Sequence, residues 1–275
     1  MSSRRKLSTI NFCAIDLETT GVNPAFNKIV EIGAVKFRID GTMERFHSLV
    51  NPCVPMPENV IKIHGITDRM VETAPVLQDI LCDFMDFIND TVLVIQNPRF
   101  DLSFIDRAFK THGINCCPLW ALDTVRLAKK YFTGLPNHKL STLSEHLGLD
   151  HKMHRALDDA TVCMKVFLEV LKGKGLNNDS TLEDVMNLHG EGVKPGITSI
   201  PHNSPELLKR ISIGEKVTIR YRDSDGNVTK RNILPKEFIT YGRRNYVLAH
   251  CYLRNSERCF MASRIIGVDK ATISS

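Results

Sequence analysis

The hexapeptide DLETTG at residues 16–21 constrains this chain more than any other feature, and it follows the apolar run Ile10–Ile15. The run predicts a buried strand. Because side chains alternate along a strand, Asp16 and Glu18 fall on one face at its end. Two carboxylates held together there repel each other, and a divalent cation relieves that repulsion. Exposed strands also carry such pairs, so the pair alone leaves both interpretations open.

Strand and helix signals alternate through the first 172 residues. The runs Ile29–Phe37 and Glu44–Val50 are separated by a turn at Asp40-Gly41 and predict a hairpin. Further strands are predicted at Thr91–Ile95 and Leu119–Leu122, and helices at Val76–Ile88, Asp101–Lys110, Leu140–Leu147 and Arg155–Leu171, with one more helix starting from Asp123. A hairpin followed by alternating units predicts an α/β fold with a mixed sheet flanked by helices.

Composition shifts divide the rest of the chain. Residues 173–202 are rich in Gly and Pro and predict a linker with one short helix. Residues 203–271 predict a second, smaller β-rich domain. The net charge of +5 is uneven, because residues 201–275 carry 14 Lys and Arg against 7 Asp and Glu. A basic module beside an acidic, metal-binding site suits a polyanionic substrate.

A third acidic position, Asp101, lies just past the predicted strand Thr91–Ile95. Sites in α/β sheets gather in the loops beyond strand ends, so Asp101 is a candidate ligand. The alternative is that Asp101 only caps the following helix, and both roles are compatible.

A fourth acidic position is Asp159, which helical periodicity places on a different face of its helix from its neighbour Asp158. Asp159 shares a stripe with Cys163 and Val166, whereas Asp158 falls on the polar side. An aspartate on a buried stripe needs a partner, and a metal ion would supply one. We expect His154 on the loop before this helix, where it can approach and leave a site.

These motifs together carry a family resemblance. DLETTG, then Asn97 with Phe100-Asp101, then His154 before Asp159 resemble the histidine-bearing DEDDh branch of the DEDD exonuclease superfamily. The segment 63–71 is also similar to the polymerase-proofreading type. The resemblance covers residues 8–172 and implies a ribonuclease H-like domain. One departure is Gln96-Asn97-Pro98-Arg99, where the family commonly has His-Asn-Ala, so Gln96 and Arg99 are candidates for altered substrate contact.

The resemblance implies a two-metal hydrolysis. Asp16, Glu18, Asp101 and Asp159 would hold two Mg²⁺ or Mn²⁺ ions. One ion would activate a water and the other would stabilise the leaving 3′-oxygen. His154 would act as the general base. The substrate is expected to be nucleic acid, at a single strand or a 3′ end, and the implied contacts are Leu17, Thr19, Thr20, Gly21, Ile61, His64, Asn97 and Phe100. For Ile61 and His64, a purely packing role stays open.

The second domain resembles a WYL domain, a small module with an SH3-like barrel. The matching stretch runs from Tyr241 to Cys251, with only the tyrosine of the naming tripeptide kept, as Tyr246. Such modules bind nucleic acid or nucleotide-like ligands through basic residues. The candidate contacts are Arg220, Arg222, Arg243, Arg244, Tyr246, Arg254 and Arg258. A solvated basic face is the alternative.

Three functions compete on these observations. The leading one is a metal-dependent 3′→5′ exonuclease on single-stranded DNA. The others are a 3′→5′ exoribonuclease, and a ligand-sensing regulator with a nuclease-like scaffold, against which the intact acids and His154 argue. No apolar run reaches about 18 residues, the basic N-terminus leads into no cleavage site, and the eight cysteines form no Cys-x-x-Cys pair. We therefore expect a cytoplasmic protein without a membrane partner.

Overall fold

The computed structural model describes residues 3–196, 206–241 and 244–270. The chain divides into two compact units, Met1–Pro195 and Gly196–Ser275. Within the described residues, no helix combines the length and the apolar character that a bilayer crossing requires.

The first unit is built on a five-stranded mixed sheet with the order β3-β2-β1-β4-β5. The strands are β1 (Asn11–Thr19), β2 (Ile29–Phe37), β3 (Met43–Leu49), β4 (Thr91–Ile95) and β5 (Ala121–Asp123). β2 pairs antiparallel with β1 and β3, whereas β4 runs parallel to β1 and β5. The predicted α/β fold with a mixed sheet is confirmed.

Eight helices are described in this unit. They are α1 (Glu58–His64), α2 (Asp68–Val71), α3 (Leu77–Ile88), α4 (Arg99–Thr111), α5 (Thr124–Tyr131), α6 (Leu140–His146), α7 (Ala156–Gly173) and α8 (Leu182–His189). One core layer joins β1 to α5, α6, α7 and α8, and the other joins it to α3 and α4. The sheet is therefore covered on both faces, which explains why β1 is apolar on both sides.

Alternation along β1 decides which layer receives its acids. Phe12 and Ala14 enter the layer of α7, and Cys13 and Ile15 enter the layer of α3 and α4. Side chains alternate with a period of two, so the acids at the end of β1 share the face of Phe12 and Ala14.

The segment after α7 differs from the predicted linker. Residues 173–195 pack on the first unit, because Leu182 and Val185 of α8 are buried in its core. The helix begins with a capping box between Thr181 and Asp184, a local signal that stabilises short helices. Ala121 and Val193 also exchange backbone hydrogen bonds of 2.9 Å. The Gly and Pro residues there form turns within a packed segment.

The second unit is an antiparallel sheet with the order β10-β6-β7-β8-β9. Its strands are β6 (Val217–Arg222), β7 (Val228–Tyr241), β8 (Arg244–Cys251), β9 (Ser256–Met261) and β10 (Ile265–Lys270). Alternate residues of β6, including Ile219, enter a core that contains Val247 and Phe260. The predicted β-rich second domain is confirmed.

Candidate active site

β1 supplies the first two acids. Asp16 is partly buried, and Glu18 is 9% exposed. Burial, together with the charge of Asp159, raises the pKa of Glu18 to about 8. Burial also raises the pKa of Asp16 well above its ordinary value, with Asp101 and Asp159 contributing in the same direction. Without a cation, these carboxyls therefore tend to keep their protons at neutral pH.

α4 supplies the third acid. The helix begins at Arg99 with Pro98 as its N-cap residue, so Asp101 lies inside the first turn. Its Oδ1 accepts a hydrogen bond of 3.1 Å from the Leu17 N–H of β1. Burial raises the pKa of Asp101 to about 8, opposed in part by that bond. The N-cap alternative for Asp101 is wrong, because its carboxylate reaches across to β1 at the site.

The first turn of α7 supplies the fourth acid. Asp159 is 7% exposed. Its Oδ2 accepts a hydrogen bond of 2.9 Å from the His154 N–H. His154 lies on the exposed loop before α7, as its sequence position indicates, with a left-handed backbone at φ 62°. Only a few per cent of non-glycine residues adopt that conformation, and strained backbone clusters at functional sites.

A second histidine contacts Asp159, and it was not predicted. The His151 Nε2 forms a hydrogen bond with Asp159 Oδ1, and its Nδ1 lies 3.0 Å from the Ser144 hydroxyl. Burial raises the pKa of Asp159, and the His151 contact opposes that rise. His151 stands three residues before His154, which is the signal that was available in the sequence.

The donor set fits a hard divalent cation. Ligand atoms of Glu18, His154 and Asp159 lie within 4.8 Å of one another. Asp16 and Asp101 act on the same cluster through their charges. Magnesium and manganese prefer oxygen ligands, and a bound cation would offset the repulsion that raises these pKa values. Glu18, His154 and Asp159 are therefore placed to hold such an ion, and the full set of four acids stays a prediction.

A fifth acid, Glu31, was also missed. It is fully buried on β2 and pairs in register with Glu18. Burial opposes its ionisation, yet hydrogen bonds from Arg155 and His47 lower the pKa of Glu31 below its ordinary value. A charged residue within the apolar run Ile29–Phe37 is the sequence signal that could have marked it.

The loop after β1 holds part of the predicted substrate set. The Thr19 hydroxyl donates to the Gly21 carbonyl at 2.8 Å. The Thr20 hydroxyl accepts from the Lys28 N–H at 2.9 Å. Gly21 has φ 152°, and a side chain there would meet Asn27 at 2.7 Å. These residues shape the turn directly beyond Glu18.

The remaining predicted contacts of this unit lie on α1 and at the start of α4. Ile61 is half-buried, and His64 is buried, with its Nδ1 accepting from the Ile66 N–H at 3.0 Å. Burial lowers the pKa of His64, and a backbone contact with Thr19 and the charge of Glu31 oppose that shift. The charges of His154 and Arg155 lower the pKa of His64, so this histidine lies within electrostatic reach of the loop before α7.

Asn97 and Phe100 flank the strand-to-helix connection. Asn97 is exposed with φ 57°, and its N–H donates to Asp123 Oδ1 at 3.2 Å. Phe100 is half-buried against Phe104, with 5.0 Å between ring centroids. Gln96 binds Thr124 and the His138 carbonyl, whereas Arg99 is exposed. Of these two departures from the family pattern, only Arg99 offers its side chain to solvent.

The candidate contacts of the second unit are largely on its surface. Exposed side chains are Arg220, Arg222, Arg244, Arg254 and Arg258. Tyr246 is half-buried, and Arg243 lies outside the described residues. Arg220 stands opposite Lys230 in the β6–β7 register, and its guanidinium lies over Gly267 of β10.

The mixed sheet and its acidic cluster define a nuclease-type α/β domain. The family model described as Exonuclease matches residues 13–167, and the WYL domain model matches residues 205–269. The chain belongs to the exonuclease family of the DEDD superfamily, as the motifs predict, and carries a WYL domain after it.

Curated relatives are replication proteins. The DNA polymerase III subunit epsilon of Treponema pallidum is 38% identical over 165 residues, which cover 59% of this chain and 77% of the relative. The PolC-type DNA polymerase III of Caldanaerobacter subterraneus is 36% identical over 180 residues, covering 64% of this chain. The chain spans only 12–14% of the length of the first PolC-type relatives.

Solved structures share the fold. Escherichia coli exonuclease I in complex with a dT13 oligonucleotide has a TM-score of 0.55 at 15% identity, covering 87% of this chain and 55% of that one. The nuclease domain of 3′hExo, a DEDDh family member bound to rAMP, has a TM-score of 0.52 at 19% identity, covering 62% and 96%. At these identities the likeness concerns the fold alone.

Proposed function

We propose that this chain is a metal-dependent 3′→5′ exonuclease that removes nucleoside monophosphates from the 3′ ends of single-stranded DNA. The observation that carries the proposal is the meeting of acids from β1, α4 and α7 beside His154. Their raised pKa values indicate a cluster built for a cation. Names of relatives as DNA polymerase III components favour DNA over RNA.

The chain's residues divide the chemical work. Asp16, Glu18, Asp101 and Asp159 would hold two Mg²⁺ or Mn²⁺ ions, which when bound polarise the phosphodiester and offset the developing negative charge. His154 accepts the proton of the attacking water at its imidazole, and its exposed loop lets the ring approach the substrate. The hydrogen bond from the His154 N–H to Asp159 links the proposed base to the acid cluster.

The terminal nucleotide would lie against residues around this cluster. The turn of Thr19, Thr20 and Gly21 presents backbone groups beyond Glu18. Ile61 and His64 on α1 would contact the last base, and Asn97 and Phe100 would complete the pocket. The Leu17 side chain is buried in the layer of α3 and α4, so only its backbone could take part. Because the hydroxyls of Thr19 and Thr20 and the Thr20 backbone are bonded within the turn, we expect these residues to act mainly by fixing the shape of the surface beyond Glu18.

The second unit would bind nucleic acid or a nucleotide-like ligand through its basic residues. Arg220 and Lys230 are exposed on the neighbouring strands β6 and β7, and the Arg220 guanidinium lies over Gly267 of β10. Phosphates would contact such exposed cations. Arg222, Arg244, Arg254, Arg258 and Arg243 are the further candidates for phosphate contact, with Tyr246 for stacking.

A degradation assay tests the nuclease proposal. Substrates are 5′-labelled single-stranded DNA, the same strand with a blocked 3′ end, duplex DNA and RNA, each with Mg²⁺, Mn²⁺ or chelator. We expect stepwise shortening of the free single-stranded DNA only when metal is present. Faster degradation of RNA would make the protein an exoribonuclease, and degradation in chelator would refute metal dependence.

Neighbouring acids give a matched pair of variants. Asp159→Asn should abolish turnover, because it removes a metal-holding carboxylate. Asp158→Asn should leave the rate within about twofold, because Asp158 is half-buried on the polar side of α7 and lies outside the cluster. His154→Ala should slow single-turnover cleavage about 10²–10⁴-fold. A His154→Ala enzyme with the full rate would refute the assignment of the base.

A further inference from the structure

The Glu31 carboxylate contacts Arg155, Ala156 and His47, and none of these residues is an acid of the cluster. Its carboxylate accepts from Arg155 Nη2 at 2.7 Å, from Arg155 Nε at 3.2 Å and from the Ala156 N–H at 3.0 Å. The His47 Nε2 lies 2.8 Å from Glu31 Oε1, the oxygen that also accepts from Arg155 Nη2. A fully buried carboxylate is stable only when it is paired and hydrogen-bonded in this way.

These contacts tie two strands of the sheet to the start of α7. Glu31 and His47 lie on β2 and β3, and their partners Arg155 and Ala156 follow His154 directly. At the same place, a Cβ on Gly33 of β2 would lie 2.1 Å from the Ala156 carbonyl carbon. The sheet and the helix start therefore touch through backbone atoms, and little movement is possible between them.

The backbone of the loop that carries His154 is therefore held at two points. On its C-terminal side, Arg155 and Ala156 are bound to Glu31. Within the loop, the backbone N–H of His154 donates to Asp159 Oδ2. The imidazole itself is exposed, so its packing does little to fix its place. The backbone anchors decide where the ring lies relative to Glu18 on β1.

We propose that Glu31 is a positioning residue, which acts through Arg155 to hold His154 over the acid cluster. The inference rests on the proposed function, because it assigns a means of placing the general base. Misplacing a catalytic group by about 1 Å costs about 10²-fold in rate, so loss of the anchor should appear in the chemical step. It should not appear in metal affinity, since neither Glu31 nor Arg155 is among the proposed ligands.

A double-mutant cycle between Arg155 and His154 tests this directly. Arg155 is the side to change, because its side chain is 36% exposed and the contacts of Glu31 with His47 and the Ala156 N–H stay in place when it is replaced. The four full-length proteins are wild type, Arg155→Met, His154→Ala and the double variant. The readout is the single-turnover rate on a p-nitrophenyl ester of thymidine monophosphate, which has no strand to bind, at saturating Mn²⁺.

We expect Arg155→Met to slow the wild-type enzyme about 10–100-fold and the His154→Ala enzyme by less than about twofold. The Mn²⁺ concentration for half activation should stay unchanged in both backgrounds. Arg155→Lys, which keeps the charge but loses the two-nitrogen contact, should recover only part of the rate. The matched control is Arg45→Met, an exposed cation two residues from His47 on β3, which should keep the wild-type rate.

The outcomes separate this inference from the proposed function. Equal losses in both backgrounds would overturn the positioning role, because Arg155 would then act independently of His154. A shift in half-activating Mn²⁺ would also overturn it and place Arg155 with the metal site. If His154→Ala itself keeps the full rate, the general-base assignment fails first. Protein that melts normally excludes unfolding as the cause of any loss.

Discussion

The acid cluster makes a specific prediction about pH and stability. In the metal-free protein, the pKa values of Glu18 and Asp101 are each about 8, against ordinary values of 4.5 and 3.8. Between about pH 4 and about pH 8, Glu18 and Asp101 keep their protons in the folded state but have released them in the unfolded state. The contribution of these two acids to the free energy of unfolding therefore falls as pH rises, between about pH 4 and about pH 8.

The size of the effect follows from the same values. One retained proton changes the free energy of unfolding by about 1.36 kcal/mol per pH unit, so these two acids together contribute up to about 2.7 kcal/mol per unit. Water in the open cleft screens part of the burial, and we expect at least about 1 kcal/mol per pH unit between pH 5 and 7. For a unit of this size, that is a fall in Tm of about 2–4 °C per pH unit.

Thermal melts of the chelated protein measure this slope. Trp120 is the only tryptophan of the chain and packs against the first core, so its fluorescence follows the nuclease unit. The control is the double variant Glu18→Gln, Asp101→Asn, whose melting temperature should vary less with pH. Excess Mn²⁺ at pH 7.5 should add about 2.7 kcal/mol at 100 times its Kd. A flat or rising wild-type profile, or an unchanged slope in the double variant, would refute the reasoning.

Three further predictions concern the backbone and the basic unit. Gly33→Ala should destabilise the protein by at least about 3 kcal/mol, because its Cβ would collide with the backbone of Ala156. Gly41→Ala, which has open space around it, should cost about 1 kcal/mol. Chemical denaturation compares the two variants, and equal losses of stability would contradict the tight contact at Gly33. His154→Gly should be about 1 kcal/mol more stable than His154→Ala, because φ is 62° there, and equal midpoints would contradict the strain. Arg220→Ala should lower the slope of log affinity against log salt for oligo-dT by about 1, measured in chelator, and an unchanged slope would exclude a phosphate contact.

The sequence predicted the fold where local signals and tertiary packing agree. β2 spans Ile29–Phe37 and β4 spans Thr91–Ile95, as predicted, because continuous apolar runs suit strands covered on both faces. The segment 173–195 was read by composition as a linker. Composition does not report that Leu182 and Val185 of α8 fill a gap in a distant core.

The acids of the site were recognisable because each follows a predicted strand or occupies a buried helical stripe. The supporting residues were not, because their partners are far away in the chain. Glu31 meets Arg155, which lies 124 positions later. His151 meets Asp159 across the entry loop rather than along one helix face. Such contacts arise from how β2 and α7 pack, and periodicity within one element carries no information about them.

The most direct measurement is an anomalous-scattering map of crystals grown with Mn²⁺ and a nucleoside monophosphate. The account predicts manganese peaks within ligand distance of Asp16, Glu18, Asp101 and Asp159, with the phosphate beside them and His154 facing it. No manganese at these carboxylates under saturating metal, or manganese bound only elsewhere, would contradict the central claim that acids from three separate segments form one catalytic metal centre.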